Sequence, residues 1–318
     1  MRVKIASLSS AILDCLSNPG PLGVIHSVFD RAVNIKLDNT QQIIALTFSQ
    51  AGGLPYALML ADGQLRSFIK EGIETKQKVN LIQNRCLAII GTDVLFDYSE
   101  ASVWSPGMSH LTDPDDSETF LELLTWSSDY VFKQANHAGL VPLLENHRML
   151  FNGKLLLDDH PDLRIAHLAA PVIGALLTAL KYGDEKAVAS STIRLLGYGI
   201  GGTPSGDDLL VGMLAAMHRS RHPRADQYLR LLSGALKEQL TDSVTSLLSL
   251  TVLRHALAGE YSEKLHEVTR QLMHPDDPGS LEASLERLLM HGATSGAEMF
   301  LGICLGFHLV YTDQEPGF

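Results

Sequence analysis

The sequence predicts an α+β protein in which a strand-rich N-terminal domain, barrel-like or a sandwich, precedes a mostly helical C-terminal domain. Residues 21 to about 105 are short β-branched or alternating runs broken by turn residues. From residue 118 onward, apolar residues recur at spacings of three and four. Strands come first and helices follow without alternation, which argues against a doubly wound sheet. The break Ser105-Pro-Gly followed by Thr112-Asp-Pro-Asp-Asp-Ser117 places the boundary so that the domains are 1–115 and 116–318.

Five strands are expected: 24–29, 32–37, 43–48, 56–60 and 86–90. Asp38-Asn39, Gly52-Gly53 and Asp62-Gly63 provide turns between them. Asp116 or Ser117 is suited to cap the first helix. Helices are then expected over 120–138, 163–181, 185–196, 206–218, 225–240, 243–258, 262–273, 281–290 and 296–310. Gly183-Asp184, His222-Pro223, Gly259 and Pro275-Asp-Asp-Pro278 separate them. Thr241 reads as the cap of the helix expected over 243–258.

One motif occurs twice. Gly197-Tyr-Gly-Ile-Gly-Gly-Thr-Pro-Ser-Gly-Asp-Asp208 has a shortened copy in His291-Gly-Ala-Thr-Ser-Gly-Ala-Glu298. Aligning Ser205 with Ser295 pairs Asp208 with Glu298 and Gly212 with Gly302 around three apolar residues. Each copy sets a hydroxyl and a glycine before an apolar helix, where the free N–H groups and the positive dipole end suit an anion. The competing reading is a pair of capping boxes, Ser205-x-x-Asp208 and Ser295-x-x-Glu298. Capping alone leaves the glycine-rich approach, Thr203-Pro204 and the second acid Asp207 unexplained. Arg194 stands a turn before the loop, as a counter-charge or a surface ion-pair partner.

Composition excludes several classes. Lys and Arg number 25 against 36 Asp and Glu, a net charge of −11, which offers no basic stripe to a nucleic acid. No uncharged run approaches the roughly 20 residues of a membrane span. Met1-Arg-Val-Lys-Ile-Ala lacks a signal-type apolar stretch. Three widely spaced cysteines suit reduced thiols, so a cytoplasmic protein is expected, without nucleic-acid or membrane partners. Gly197-x-Gly199-x-x-Gly202 follows a helix and has no acid about 20 residues on, so it is no dinucleotide fingerprint. There is no Gly-Lys-Ser/Thr, no His-Glu-x-x-His and no Cys-x-x-Cys, so neither a cofactor nor a metal is expected.

His26-Ser-Val-Phe-Asp-Arg-Ala-Val-Asn34, the segment ending in Thr-Pro-Ser-Gly-Asp-Asp208, and Gly292 to Glu298 together resemble the bacterial AllH-like family. Its allantoin-pathway member is a subunit of oxamate carbamoyltransferase, and some members carry a carboxylase label. The resemblance implies work with two partner proteins, interconverting oxalurate plus phosphate and oxamate plus carbamoyl phosphate during purine-nitrogen use. Where that family has histidine before Thr-Ser-Gly, this chain has Ala293, and His291 lies two residues away.

The expected site brings both helix starts together with the His26 to Arg31 segment. Carbamoyl phosphate, phosphate, oxamate or oxalurate would lie against Gly202, Thr203, Ser205, Gly206, Thr294, Ser295, Gly296 and Glu298, with Arg31 as counter-charge. Asp207 and Asp208 are candidate bases or partners for the substrate amide. His26 is the acid–base candidate, since histidine suits proton transfer near neutral pH. Two alternatives stay open: a metabolite-binding or scaffold subunit without chemistry, and a carboxylase-like enzyme on another small acid.

Overall fold

The computed structural model describes residues 1–40, 42–152, 163–241 and 243–312. The fold is α+β, with an N-terminal barrel followed by helices. The chain forms two compact units, one of Met1–Gly107 with Glu260–Glu263 and one of Met108–Gly259 with Lys264–Phe318.

In the first unit the strands are β1 (Arg2–Ser9), β2 (Gly20–Val28), β3 (Ala32–Leu37), β4 (Ile43–Thr47), β5 (Ala57–Leu60), β6 (Lys78–Ile82), β7 (Cys86–Ile89), β8 (Leu95–Asp97) and β9 (Ser102–Trp104). Their order is β5-β4-β3-β2-β6-β7-β8-β1, closed by β1 against β5, with β9 added beside β1. Closure removes the free sheet edges that an open sheet must protect. Alternation along β1 turns Val3 and Ile5 inward, where they meet Ile25, Val33, Ile35, Leu46, Leu58 and Phe96 in one apolar core. The five expected strands are present within a few residues of their ends. β1, β6, β8 and β9 are additional: β8 and β9 have three residues each, too few to display a period.

The second unit holds α1 (Ser117–Gln134), α2 (Arg164–Tyr182), α3 (Glu185–Leu195), α4 (Ser205–Arg219), α5 (Pro223–Gln239), α6 (Leu247–Leu257), α7 (Glu263–Met273, its first residue in the barrel unit), α8 (Pro278–Leu289) and α9 (Ser295–Tyr311). Asp116 caps α1 by accepting from the N–H groups of Glu118 and Thr119. The cap of α6 is Ser246, not Thr241; its hydroxyl accepts from Ser249 N–H, so α6 begins later than the sequence predicts. α2 has the length and hydropathy of a membrane span, and half of that stretch is buried within the unit. Every residue of α9 is buried, and so is all of α4 except His218. A helix that is apolar on all sides belongs at the centre of a bundle. Each fully buried large side chain there, such as Phe300 or Phe307, stabilises the fold by about 1.5–3 kcal/mol.

Candidate functional site: two glycine-linked helix starts and a buried acid pair

The two motif copies are one local structure built twice. In the first, Tyr198 N–H donates to Leu195 O (3.0 Å) and Gly206 N–H donates to Tyr198 O (2.8 Å). In the second, His291 N–H donates to Leu288 O (2.9 Å) and Gly296 N–H donates to His291 O (2.9 Å). Each glycine lets its helix start lie on the end of the preceding helix: an added Cβ would fall 2.1 Å from Leu195 O at Gly206 and 2.0 Å from Leu288 O at Gly296. The first loop is longer, so Tyr198 and His291 are equivalents although the sequence gives them no likeness. α4 and α9 then cross at Gly212 and Gly302.

The copies also meet at their starts, where the hydroxyls of Thr203 and Ser295 hydrogen-bond at 3.0 Å. Asp208 and Glu298, equivalent in the repeat, are 1% and 0% exposed. Glu298 accepts from Leu140 N–H (3.0 Å) and from the Thr294 hydroxyl (3.1 Å). Burial pushes the Asp208 carboxyl well above the usual range and the nearby Glu298 adds to this, while the hydroxyls of Ser295 and Thr203 oppose it. Its Oδ2 is buried with no hydrogen-bond partner. A neutral carboxyl group there satisfies both observations better than a second charge would.

Asp207 plays a different part. Its carboxylate accepts from Gly197 N–H (2.9 Å), the Thr245 hydroxyl and the Ser249 hydroxyl (2.6 Å). Burial raises its pKa and these donors hold it back. The side chain therefore ties the glycine loop to the start of α6. Gly202 is held on the same side, its carbonyl accepting from Ser246 Oγ.

Neither capping box is present. Ser205 and Ser295 are the first helical residues, the N-cap positions are Pro204 and Thr294, and neither makes a side-chain cap. The N–H groups of Asp207 and Asp208 donate to Pro204 O, and that of Glu298 to Thr294 O. Both acids are thus free of capping duty. The Gly206 and Gly296 N–H groups donate to loop carbonyls at the two helix starts.

His26 and Arg31 lie in the barrel unit. His26 stands at a bulge in β2, where the register against β3 shifts between Ile25 and Ser27, and its ring is exposed beside Ser27 Oγ (3.3 Å). Arg31, in the turn before β3, is exposed and lines a cavity of about 170 Å³. Arg194 is exposed in the last turn of α3. Sequence reasoning missed Leu140, whose backbone N–H holds Glu298, because any residue type offers that donor. It also missed Ser249, whose hydroxyl looks like one helical serine among many.

Among the described residues, no group of three or more His, Cys, Asp or Glu is placed to hold a metal ion. Comparison with solved structures finds no match. Two family sequence models match the chain: that of the oxamate carbamoyltransferase subunit AllH over residues 195–307, and that of the AllH family N-terminal domain over residues 4–103. The first match spans both motif copies and the second nearly all of the barrel strands, so the chain belongs to the AllH family.

Proposed function

We propose that this chain is a subunit of an oxamate carbamoyltransferase that converts oxalurate and phosphate to oxamate and carbamoyl phosphate in allantoin nitrogen breakdown. It works in the cytoplasm with two further protein subunits. The observation that carries the reading is the buried pair Asp208 and Glu298, in which burial raises the Asp208 pKa and leaves its Oδ2 without a hydrogen-bond partner. In phosphorolysis a phosphate oxygen attacks the ureido carbonyl carbon. The C–N bond to the oxamate nitrogen breaks, and that nitrogen takes the electron pair and needs a proton. Neutral Asp208 supplies it and is reprotonated from the attacking phosphate, so the site ends as it began. The hydroxyls of Thr203, Ser205 and Ser295, with the two helix ends, favour negative charge developing on the carbonyl oxygen. Asp207 fixes the loop that carries these groups, Gly206 and Gly296 set the approach, and Thr294 steadies Glu298. In the barrel unit, His26 is a proton-transfer candidate and Arg31 an anion-binding one.

A second reading is favoured by the burial of the pair: a subunit that binds and organises without chemistry keeps Asp208 and Glu298 sealed throughout. The test is carbamoyl phosphate formation from oxalurate and phosphate by the chain assembled with its partners, comparing wild type with Asp208→Asn. A large loss of rate in a correctly assembled complex supports the acid role; an unchanged rate selects the second reading.

A further inference from the structure

The cavity beside Arg31 is lined by a second arginine, Arg66, together with Phe48, Ser49, Gln50 and Asp62. Its walls are fixed by the backbone. Phe48 N–H donates to Arg31 O (3.2 Å), and Phe68 N–H donates to Asp30 O (3.0 Å), so the turn carrying Arg31 is tied to the segments on either side of the cavity. The ring of Phe48, in the cavity lining, packs against that of Phe68 at 5.3 Å. Among the described residues neither guanidinium has a hydrogen-bond or ion-pair partner, whereas Asp62 already accepts from the Ser49 hydroxyl. Two unpaired arginines at one cavity, in a chain of net charge −11, form a local positive site.

We propose that this cavity binds the carboxylate of a small amide acid through Arg31 and Arg66, with Asp62 accepting from the amide N–H. Guanidinium groups offer paired donors that match the two oxygens of a carboxylate. Asp62 selects against a second negative charge and for a hydrogen-bond donor, which disfavours oxalate and phosphate and favours a monoanion such as oxamate. At about 170 Å³ the cavity holds about six water volumes, room for a molecule of that size. The choice of oxamate rests on the carbamoyltransferase reading; the preference for a carboxylate rests on the lining alone.

The test is calorimetric titration of the full chain with oxamate, oxalate and inorganic phosphate, for wild type and for Arg31→Gln, Arg66→Gln and Asp62→Asn. Oxamate should bind saturably and roughly tenfold tighter than oxalate or phosphate. Arg31→Gln and Arg66→Gln should each weaken it by about tenfold or more without shifting the unfolding temperature, and Asp62→Asn should close the gap between oxamate and oxalate. No oxamate binding, binding unchanged in both arginine variants, or preference for phosphate would each overturn the proposal. Carbamoyl phosphate formation by the assembled complex is measured alongside. Formation without oxamate binding to this chain sinks the cavity and leaves the carbamoyltransferase reading; arginine-dependent oxamate binding with no formation in the complete assembly upholds the cavity and sinks that reading.

Discussion

Gly212 on α4 and Gly302 on α9 meet at the helix crossing: a Cβ built on either falls 3.0 Å from the Cα of the other. The same Cβ on Gly212 would lie 1.9 Å from Met299 O, and on Gly302 2.1 Å from Leu209 O. Because Leu209 and Met299 are themselves equivalent in the repeat, the contact is close to two-fold symmetric. It draws the two helices together and brings Asp208 and Glu298 into one buried region.

Gly212→Ala should therefore act on the whole helix pair. The clash is with backbone, which cannot rotate aside, so α4 and α9 must separate. Overpacking of this kind costs about 1–3 kcal/mol, and a backbone clash belongs at the upper end. Urea unfolding of the variant checks it, with Gly234→Ala as the control, since Gly234 has nothing near the added carbon.

Asp207→Ala should destabilise more than Asp207→Asn. Alanine leaves Gly197 N–H and the hydroxyls of Thr245 and Ser249 without their shared acceptor, a loss of about 2–4 kcal/mol for a charged hydrogen-bond centre. Asparagine keeps one accepting oxygen and should lose about half of that. Equal stability of the two variants in thermal unfolding would show that the network contributes little.

Asp208 should leave a signature in the pH dependence of stability. In the unfolded chain an aspartate ionises near about pH 3.9. In the folded chain burial raises that value well above it, so the folded state holds the proton more tightly. The contribution is complete below the unfolded value and is lost as pH rises through the folded one, with a slope of up to about 1.4 kcal/mol per pH unit. Asp208→Asn, which stays neutral, should flatten stability between about pH 4 and neutrality. Denaturant midpoints at several pH values in both proteins measure this.

The sequence displays the helical unit well because its signals are local. Apolar residues at three and four along α2, α4 and α9, and separators such as Gly183 and Pro278, bring all nine expected helices close to their described ends. The barrel is less legible. β1 alternates over only part of its length, and β6, β8 and β9 are short strands completed by partners far away in sequence, a property no local pattern carries. For the candidate site, the repeat was visible in Ser205 to Gly212 and Ser295 to Gly302, but the different work of two adjacent acids was not. Asp207 and Asp208 look alike in sequence; a helix turns them to different neighbours, one to three donors and the other to a buried region with an unpartnered oxygen.

The most direct measurement is the rate of carbamoyl phosphate formation from oxalurate and phosphate by the complex assembled from this chain and its partners, with wild type and Asp208→Asn compared at equal occupancy. Loss of a positioned general acid lowers kcat by about 10²–10⁴-fold while the folded complex persists. A general-acid role for Asp208 requires a fall in that range for Asp208→Asn, with an unfolding temperature equal to or above that of wild type. Turnover by Asp208→Asn within about twofold of wild type would contradict it, because the buried Asp208 carboxyl in the first turn of α4 would then have no part in the chemistry.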